Sequence, residues 1–295
     1  MKSHQKLALA AAASVGLAGL TSSAHAARLL YYGFEDGTDT TIDNRGTTAL
    51  AGTLVNPTRA SFVTGQVANV PGIGNVNTGR ALRLSPESNN NTATDAYVQS
   101  NQTAPQLAAS TGTYTMMAWV NVATGAFTTP GPPVADNDNM VFGQVIGGGN
   151  PPDNNQYLHN GFRGNRVHQG HWGNDEQRTG QDLQTDTWYH VAYVYENQEM
   201  TQYVNGVAVS PDELEGTPPT NNTEGPLLNL NNITIGKTEG NGGNFNGIVD
   251  EVKMFDTALT AAQIQQEALV NVPEPTALGV LGVGVLGLLS RRRRR

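Results

Sequence analysis

From residue 28 to residue 255 the chain is a succession of short stretches in which apolar and polar positions alternate. Clusters of Gly, Asn, Asp, Pro and Thr separate them. A period of two sends successive side chains to opposite faces of a strand, so each stretch predicts a β-strand. The stretches are 28–34, 79–84, 96–100, 113–121, 140–146, two around a turn at Gly164 and Asn165, then 186–195, 201–209, 233–236 and 245–255. In 113–121, Tyr114, Met116, Ala118 and Val120 share one face, with Met117 and Trp119 on the other. Both faces are apolar, which predicts a central strand covered on both sides, with Trp119 packed in a core. Asn205-Gly206 between apolar residues is a hairpin signal. About a dozen strands with regular turn signals predict an all-β protein of two antiparallel sheets.

The last stretch runs directly into a helix. By simple alternation Ile248, Asp250, Val252 and Met254 share one face, and Val249, Glu251, Lys253 and Phe255 the other. An unpaired carboxylate at Asp250 would be costly there. Thr260 is placed as the N-cap of the helix, with Gln263 as its capping-box partner and Leu259 and Ile264 as a hydrophobic staple.

Phe245, Gly247, Asp250, Glu251, Val252, Phe255, Ala258, Leu259, Thr260 and Ile264 together resemble the closing strand of laminin-G-like domains, the concanavalin A-like jelly rolls. A second block is similar to the same family: Trp188, His190, Val191, Ala192 and Tyr195, followed by Tyr203, Val204, Asn205 and Gly206. The turn Asp43-Asn44-Arg45-Gly46, read as an Asx-type turn, also resembles it, with Arg45 where the family carries a serine. The resemblance implies a two-sheet antiparallel jelly-roll sandwich with a short C-terminal helix, occupying 27–270 as one domain. It further implies a calcium site built on an aspartate of the last strand and on oxygen atoms from the early strands. In this chain those positions are Asp250, Glu35 and Gly79, and oxygen ligands suit calcium. His190, in register with Ala192 and Val194, reads as a hydrogen-bonded structural histidine.

Both ends carry export signals. Residues 1–26 form a signal peptide, with Lys2 and Lys6 before an apolar run and Ala24-His25-Ala26 as the signal-peptidase site. Residues 271–295 combine Pro273-Glu274-Pro275, an uncharged run over 276–290 and five arginines. The run is shorter than the roughly 20 residues of a comfortable membrane helix, and the arginines would hold its end in the cytoplasm. This order resembles the PEP-CTERM sorting signal of Gram-negative bacteria. It implies cleavage by an exosortase-type enzyme and release to the cell surface or its polysaccharide matrix. The alternative is a permanent anchor in the membrane.

Composition narrows the function. There is no cysteine, which removes disulfides, thiolate metal sites and thiol catalysis. The formal charge is −8, and two lysines, five arginines and Glu274 lie in the end segments, so the intervening domain is near −14, the opposite of a nucleic-acid binder. Trp172 beside Asn174 and Asp175 has the composition of a sugar subsite, a ring to stack on and groups to bond hydroxyls. His168 and His171 could join Asp175 on a metal only if the strand bends at Gly170. The glucanases of this fold carry Glu-x-Asp-x-x-Glu on one strand, and no such run occurs here. The expectation is therefore a non-catalytic exported module that binds an extracellular polysaccharide or glycan, with calcium as the only cofactor. A structural or adhesive matrix protein is the alternative, ahead of a glycoside hydrolase or lyase. The loop at 124–156 is a natural recognition segment.

Overall fold

The computed structural model describes residues 26–35, 40–85, 95–103, 112–127, 138–144, 158–171, 175–178, 182–209, 232–238 and 243–269. Residues 1–25 and 270–295, Trp172, Asn174 and most of the 124–156 loop lie outside them.

Two sheets face each other. The first has the order Val207–Ala208, Glu199–Val204, Trp188–Glu196, Tyr114–Val122, Gly247–Phe255, Arg80–Leu84 and Ala60–Thr64. The second runs Asp175–Arg178, Arg166–Gly170, His159–Arg163, Asp138–Gln144, Asn232–Ile235, Tyr97–Thr103, Gly52–Val55 and Thr41–Ile42. Every pairing is antiparallel except that of the short Gly243–Asn244 strand with Asp138–Gln144. Between the sheets lies the main core, which includes Tyr114, Met116, Ala118, Val120, Phe142, Phe162, Tyr193, Val249, Val252 and Met254.

The outer face of the first sheet is also covered, by two smaller cores. Met117, Ala192, Val194 and Phe255 pack against Leu259 and Ile264 of the C-terminal helix, Ala261–Ala268. Trp119 packs with Val70, Ile73, Val76 and Ala268, under a two-stranded hairpin of Val67–Val70 and Gly74–Asn77. This double cover explains why 113–121 is apolar on both faces. Trp119 is fully buried, as the alternation predicts.

The helix begins as expected. Gln263 N donates to Thr260 Oγ1 at 3.3 Å and Thr260 N to Gln263 Oε1 at 2.8 Å, a complete capping box. The Asn205-Gly206 turn has φ of 50° and 75°, left-handed at both positions as a two-residue hairpin requires. The Asx turn forms on Asn44 rather than Asp43: Asn44 Oδ1 accepts from Gly46 N at 2.8 Å and from Tyr31 N at 2.7 Å.

Simple alternation fails in the closing strand. Asp250 pairs with Trp119 and Lys253 with Met117, so Glu251 and Val252 both stand opposite Ala118. This is a β-bulge, and Glu251 has φ 50° within it. The extra residue flips the pattern by one. Val249 therefore joins Val252 and Met254 in the main core, and Phe255 joins the outer one. Asp250 points away from the main core, not into it with Val252 as alternation predicts. Short strands at 41–42, 52–55, 60–64, 67–70 and 74–77 are further departures, because Ser, Thr, Asn and Pro dilute the apolar signal there.

Candidate functional site

The closing strand shares one of its edges between two partners. Arg80–Leu84 pairs along its first half, Gly247 with Leu84 through Val249 with Leu82. Arg28–Tyr32 takes the second half, Tyr32 with Val252 through Arg28 with Phe255. The handover falls at Asp250 and Glu251, so the end of the first strand and the start of the Arg80 strand both abut the bulge. Glu35 and Gly79 are brought to Asp250 for that reason.

Asp250 is completely buried. Its Oδ1 accepts from Glu251 N at 2.8 Å, whereas Oδ2 makes no hydrogen bond of good geometry and has the Thr78 hydroxyl as its polar neighbour. The Oδ2 atom faces Gly65: a Cβ placed there would lie 2.5 Å from it, 3.4 Å from the Gly79 carbonyl and against the Thr78 hydroxyl. Three oxygens, two from the adjacent Thr78 and Gly79 and one from the closing strand, thus converge on one small space that only a glycine leaves open. Beside them the Glu35 carboxylate lies over Gly79, whose φ of 73° suits glycine, and accepts from Arg80 N at 3.1 Å. Desolvation holds the Asp250 carboxyl well above its usual range, and the charges of Glu251 and Glu35 push it the same way. The nearby Thr78 hydroxyl and the Glu251 amide offset this only in part.

This donor set fits a hard divalent cation. It offers two carboxylates, a hydroxyl and a carbonyl, all oxygen, with one buried carboxylate oxygen otherwise unsatisfied. Among the described residues no group of three His, Cys, Asp or Glu side chains is arranged to hold a metal. A cation here would rely on neutral oxygens beside Asp250 and Glu35.

Across the bulge lies a buried ion cluster that sequence reading left unassembled. Glu251 accepts from Tyr31 Oη at 2.9 Å and lies 3.1 Å from Lys253 Nζ. Lys253 donates to the Glu267 carbonyl at 2.6 Å, and Arg28 grips the Glu267 carboxylate with two bonds of 2.9 and 3.2 Å. Burial raises the Glu251 carboxyl and lowers Lys253, while each charge partly restores the other. The only signal in the sequence is Glu251 and Lys253 two apart with Glu267 on the following helix. Their meeting depends on the bulge.

The histidines do not form a centre. His168 Nε2 meets His159 Nδ1 at 3.2 Å, while His171 Nε2 meets Tyr114 Oη at 2.8 Å on the opposite face. Around Tyr114 a buried polar network continues, with Gln169 Nε2 donating to its hydroxyl and to the Val194 carbonyl, each at 3.2 Å. His190 is buried as expected, edge-on to Trp119 with ring centres 5.3 Å apart, but its Nδ1 makes no hydrogen bond. Desolvation, with Lys253 nearby, lowers it to about 3, so the ring is neutral. Asp175 lies in a strand, pairing with Gly170. Trp172 and Asn174, the other residues of the proposed sugar subsite, are outside the described residues, as are Ala24, Pro273, Glu274 and Pro275. Ala26 packs against the outer core beside the helix.

Comparison with known proteins adds the following. A PEP-CTERM protein-sorting motif matches residues 271–295, which indicates export and membrane-associated sorting. Among the described residues no helix is long and apolar enough to cross a membrane. No curated protein matches the sequence. The binding domain of Paraclostridial Mosquitocidal Protein 1 is similar in fold, with 13% identity, a TM-score of 0.51, and 82% of this chain and 52% of that one covered. Trypanosoma rangeli sialidase is similar at 13% identity and a TM-score of 0.50, covering 85% of this chain and 34% of that one. Domain 4 of an extracellular arabinanase from Geobacillus stearothermophilus aligns at 17% identity and a TM-score of 0.49, over 82% of this chain and 98% of that domain. The chain thus spans about a third of the sialidase and half of the toxin chain, and at these identities the likeness concerns fold alone. The family model that matches residues 91–265 extends over more than half of the sequence, and this chain belongs to the concanavalin A-like lectin/glucanases superfamily.

Proposed function

We propose that the protein is an exported, non-catalytic module that binds an extracellular polysaccharide or glycan, with a calcium ion at Asp250. The observation that carries the cation is the buried Asp250 Oδ2, without a hydrogen bond of good geometry and facing the Thr78 hydroxyl and the Gly79 carbonyl. Asp250 and Glu35 supply the charged ligands, and the ion would neutralise two carboxylates held together in a desolvated place. Membership of a lectin and glucanase superfamily and an export motif support the glycan partner. The contact residues are assigned to Trp172, Asn174 and Asp175 on their chemistry. Glu251 and Glu267 are tied to Lys253 and Arg28, and like Asp250 they are buried rather than turned towards a substrate, which supports a binding rather than a hydrolytic role. The tail at 271–295 supports handling by an exosortase-type enzyme, with residues 276–290 in the membrane beforehand.

The test is retention of the purified chain on bacterial and algal polysaccharides, in calcium and in EDTA, with Trp172→Ala and Asp250→Asn beside the wild type. Calcium-dependent retention lost in both variants supports the reading. Release of reducing sugar would replace it with a hydrolase. Absence of retention in either buffer would favour a structural or adhesive matrix protein.

A further inference from the structure

The candidate cation site and the C-terminal helix are joined through two consecutive residues. Asp250 holds the Glu251 amide on its Oδ1, which fixes the left-handed turn of the bulge. In that conformation the Glu251 side chain meets Tyr31 Oη and Lys253 Nζ. Lys253, with a side chain only 1% exposed, donates in turn to the Glu267 carbonyl in the last turn of the helix. That carbonyl is one of the four which a helix end leaves unsatisfied, and a cation there also meets the negative end of the helix dipole. Arg28 clamps the carboxylate of the same Glu267. Tyr31 lies under both cations, 5.6 Å from the Arg28 guanidinium and 5.0 Å from Lys253 Nζ.

We propose that a divalent cation at Asp250 tightens the docking of the helix Ala261–Ala268, so that the cation controls how firmly the chain is held just before the sorting motif. This rests on the cation reading given above and adds its consequence. Without the ion, the carboxyl groups of Asp250, Glu35 and Glu251 crowd one another at the bulge, and φ 50° at Glu251 is itself a strained conformation. An ion held between Asp250 and Glu35 relieves that crowding and leaves Glu251 to hold Lys253. Lys253 then holds the helix end.

The position matters because a single residue separates the helix C-cap Leu269 from the matched motif that begins at 271. With the helix docked, the chain between Leu269 and Pro273 reaches at most about 14 Å; freed back to Phe255, it reaches about 60 Å. A membrane-bound processing enzyme would therefore meet the motif either close against the folded domain or on a long tether.

Hydrogen exchange on the full chain in mild detergent tests the proposal, with calcium or with EDTA, alongside calorimetry of calcium binding. Calcium should slow exchange of the helix amides about tenfold, within the usual range of such couplings. The protection should vanish in Asp250→Asn. In Lys253→Met calcium should still bind, yet no longer slow the helix. Calcium that binds and leaves helix exchange unchanged in the wild type overturns the coupling while sparing the site. Calorimetry that detects no binding overturns the site and the coupling with it. The wild-type comparison decides even if Lys253→Met fails to fold.

Discussion

The Trp119 indole Nε1 donates to the carbonyl of Ala268 at 3.1 Å, tying the centre of the first sheet to the end of the helix. Trp119 is a fully buried member of an outer core, so it acts in packing rather than as a sugar platform. Trp119→Phe keeps an aromatic ring, leaves the Ala268 carbonyl unpaired and opens a small cavity. A loss of about 1–3 kcal/mol should follow, read as a lower urea midpoint with an unchanged slope. Polysaccharide retention should be unaffected in buffer where the variant is folded.

His190 makes the protein acid-sensitive. Its folded value near 3 lies below the ordinary 6.5, so between those limits the unfolded chain binds a proton that the folded one refuses. Stability is therefore full above about pH 6.5 and falls as pH drops towards 3, by up to roughly 5 kcal/mol from this group. His190→Gln cannot take up that proton. The gap in unfolding free energy between wild type and variant should narrow steadily from pH 7 to pH 4, and a constant gap would show that His190 titrates normally.

These two residues also show where the sequence is legible. Residues 114–121 pair with their neighbour in the Trp188–Glu196 strand without a slip, so period-two reading assigns every face, Trp119 included. The helix start is equally plain, because capping is a local matter of Thr260, Gln263, Leu259 and Ile264. The closing strand defeats the same reasoning at Asp250, since one extra residue at the bulge reverses every face beyond it. Glu35 and Gly79 could be placed beside Asp250 only through a family resemblance. Their convergence arises from two strands meeting end to end along a third, which no local pattern encodes. Gly65 and Thr78 belong to a stretch whose short polar strands gave no periodic signal.

The cation and the proton should compete at Asp250. Its carboxyl is held well above the usual range, chiefly by desolvation, and Glu251 is raised as well. In the metal-free protein the folded state keeps protons the unfolded state has lost, so this cluster's contribution is present below about pH 4 and is lost as pH rises through the folded values. Calcium replaces those protons, and its effect must therefore grow with pH. The rise in melting temperature at saturating calcium should be small at pH 5 and several degrees at pH 8; at 100 times the dissociation constant the gain is about 2.7 kcal/mol. An increment that does not change with pH would mean that calcium binds elsewhere.

Gly65→Ala tests the geometry of the same place without touching a charge. Its Cβ would press on the Thr78 hydroxyl and on Asp250 Oδ2 at 2.5 Å, in the space where the three oxygens converge. The backbone at Gly65 donates to the Gly79 carbonyl at 2.9 Å, so the segment cannot easily retreat. Removing a glycine also stiffens the unfolded chain, which works in the variant's favour by about 0.4–1 kcal/mol. Metal-free stability should therefore change by only about 1–2 kcal/mol, since overpacking and chain entropy oppose each other. The calcium increment, in contrast, should disappear as fully as in Asp250→Asn. If Gly65→Ala binds calcium as the wild type does, the ion is held on the Glu35 side of Gly79, and the space beside Gly65 has no part in it.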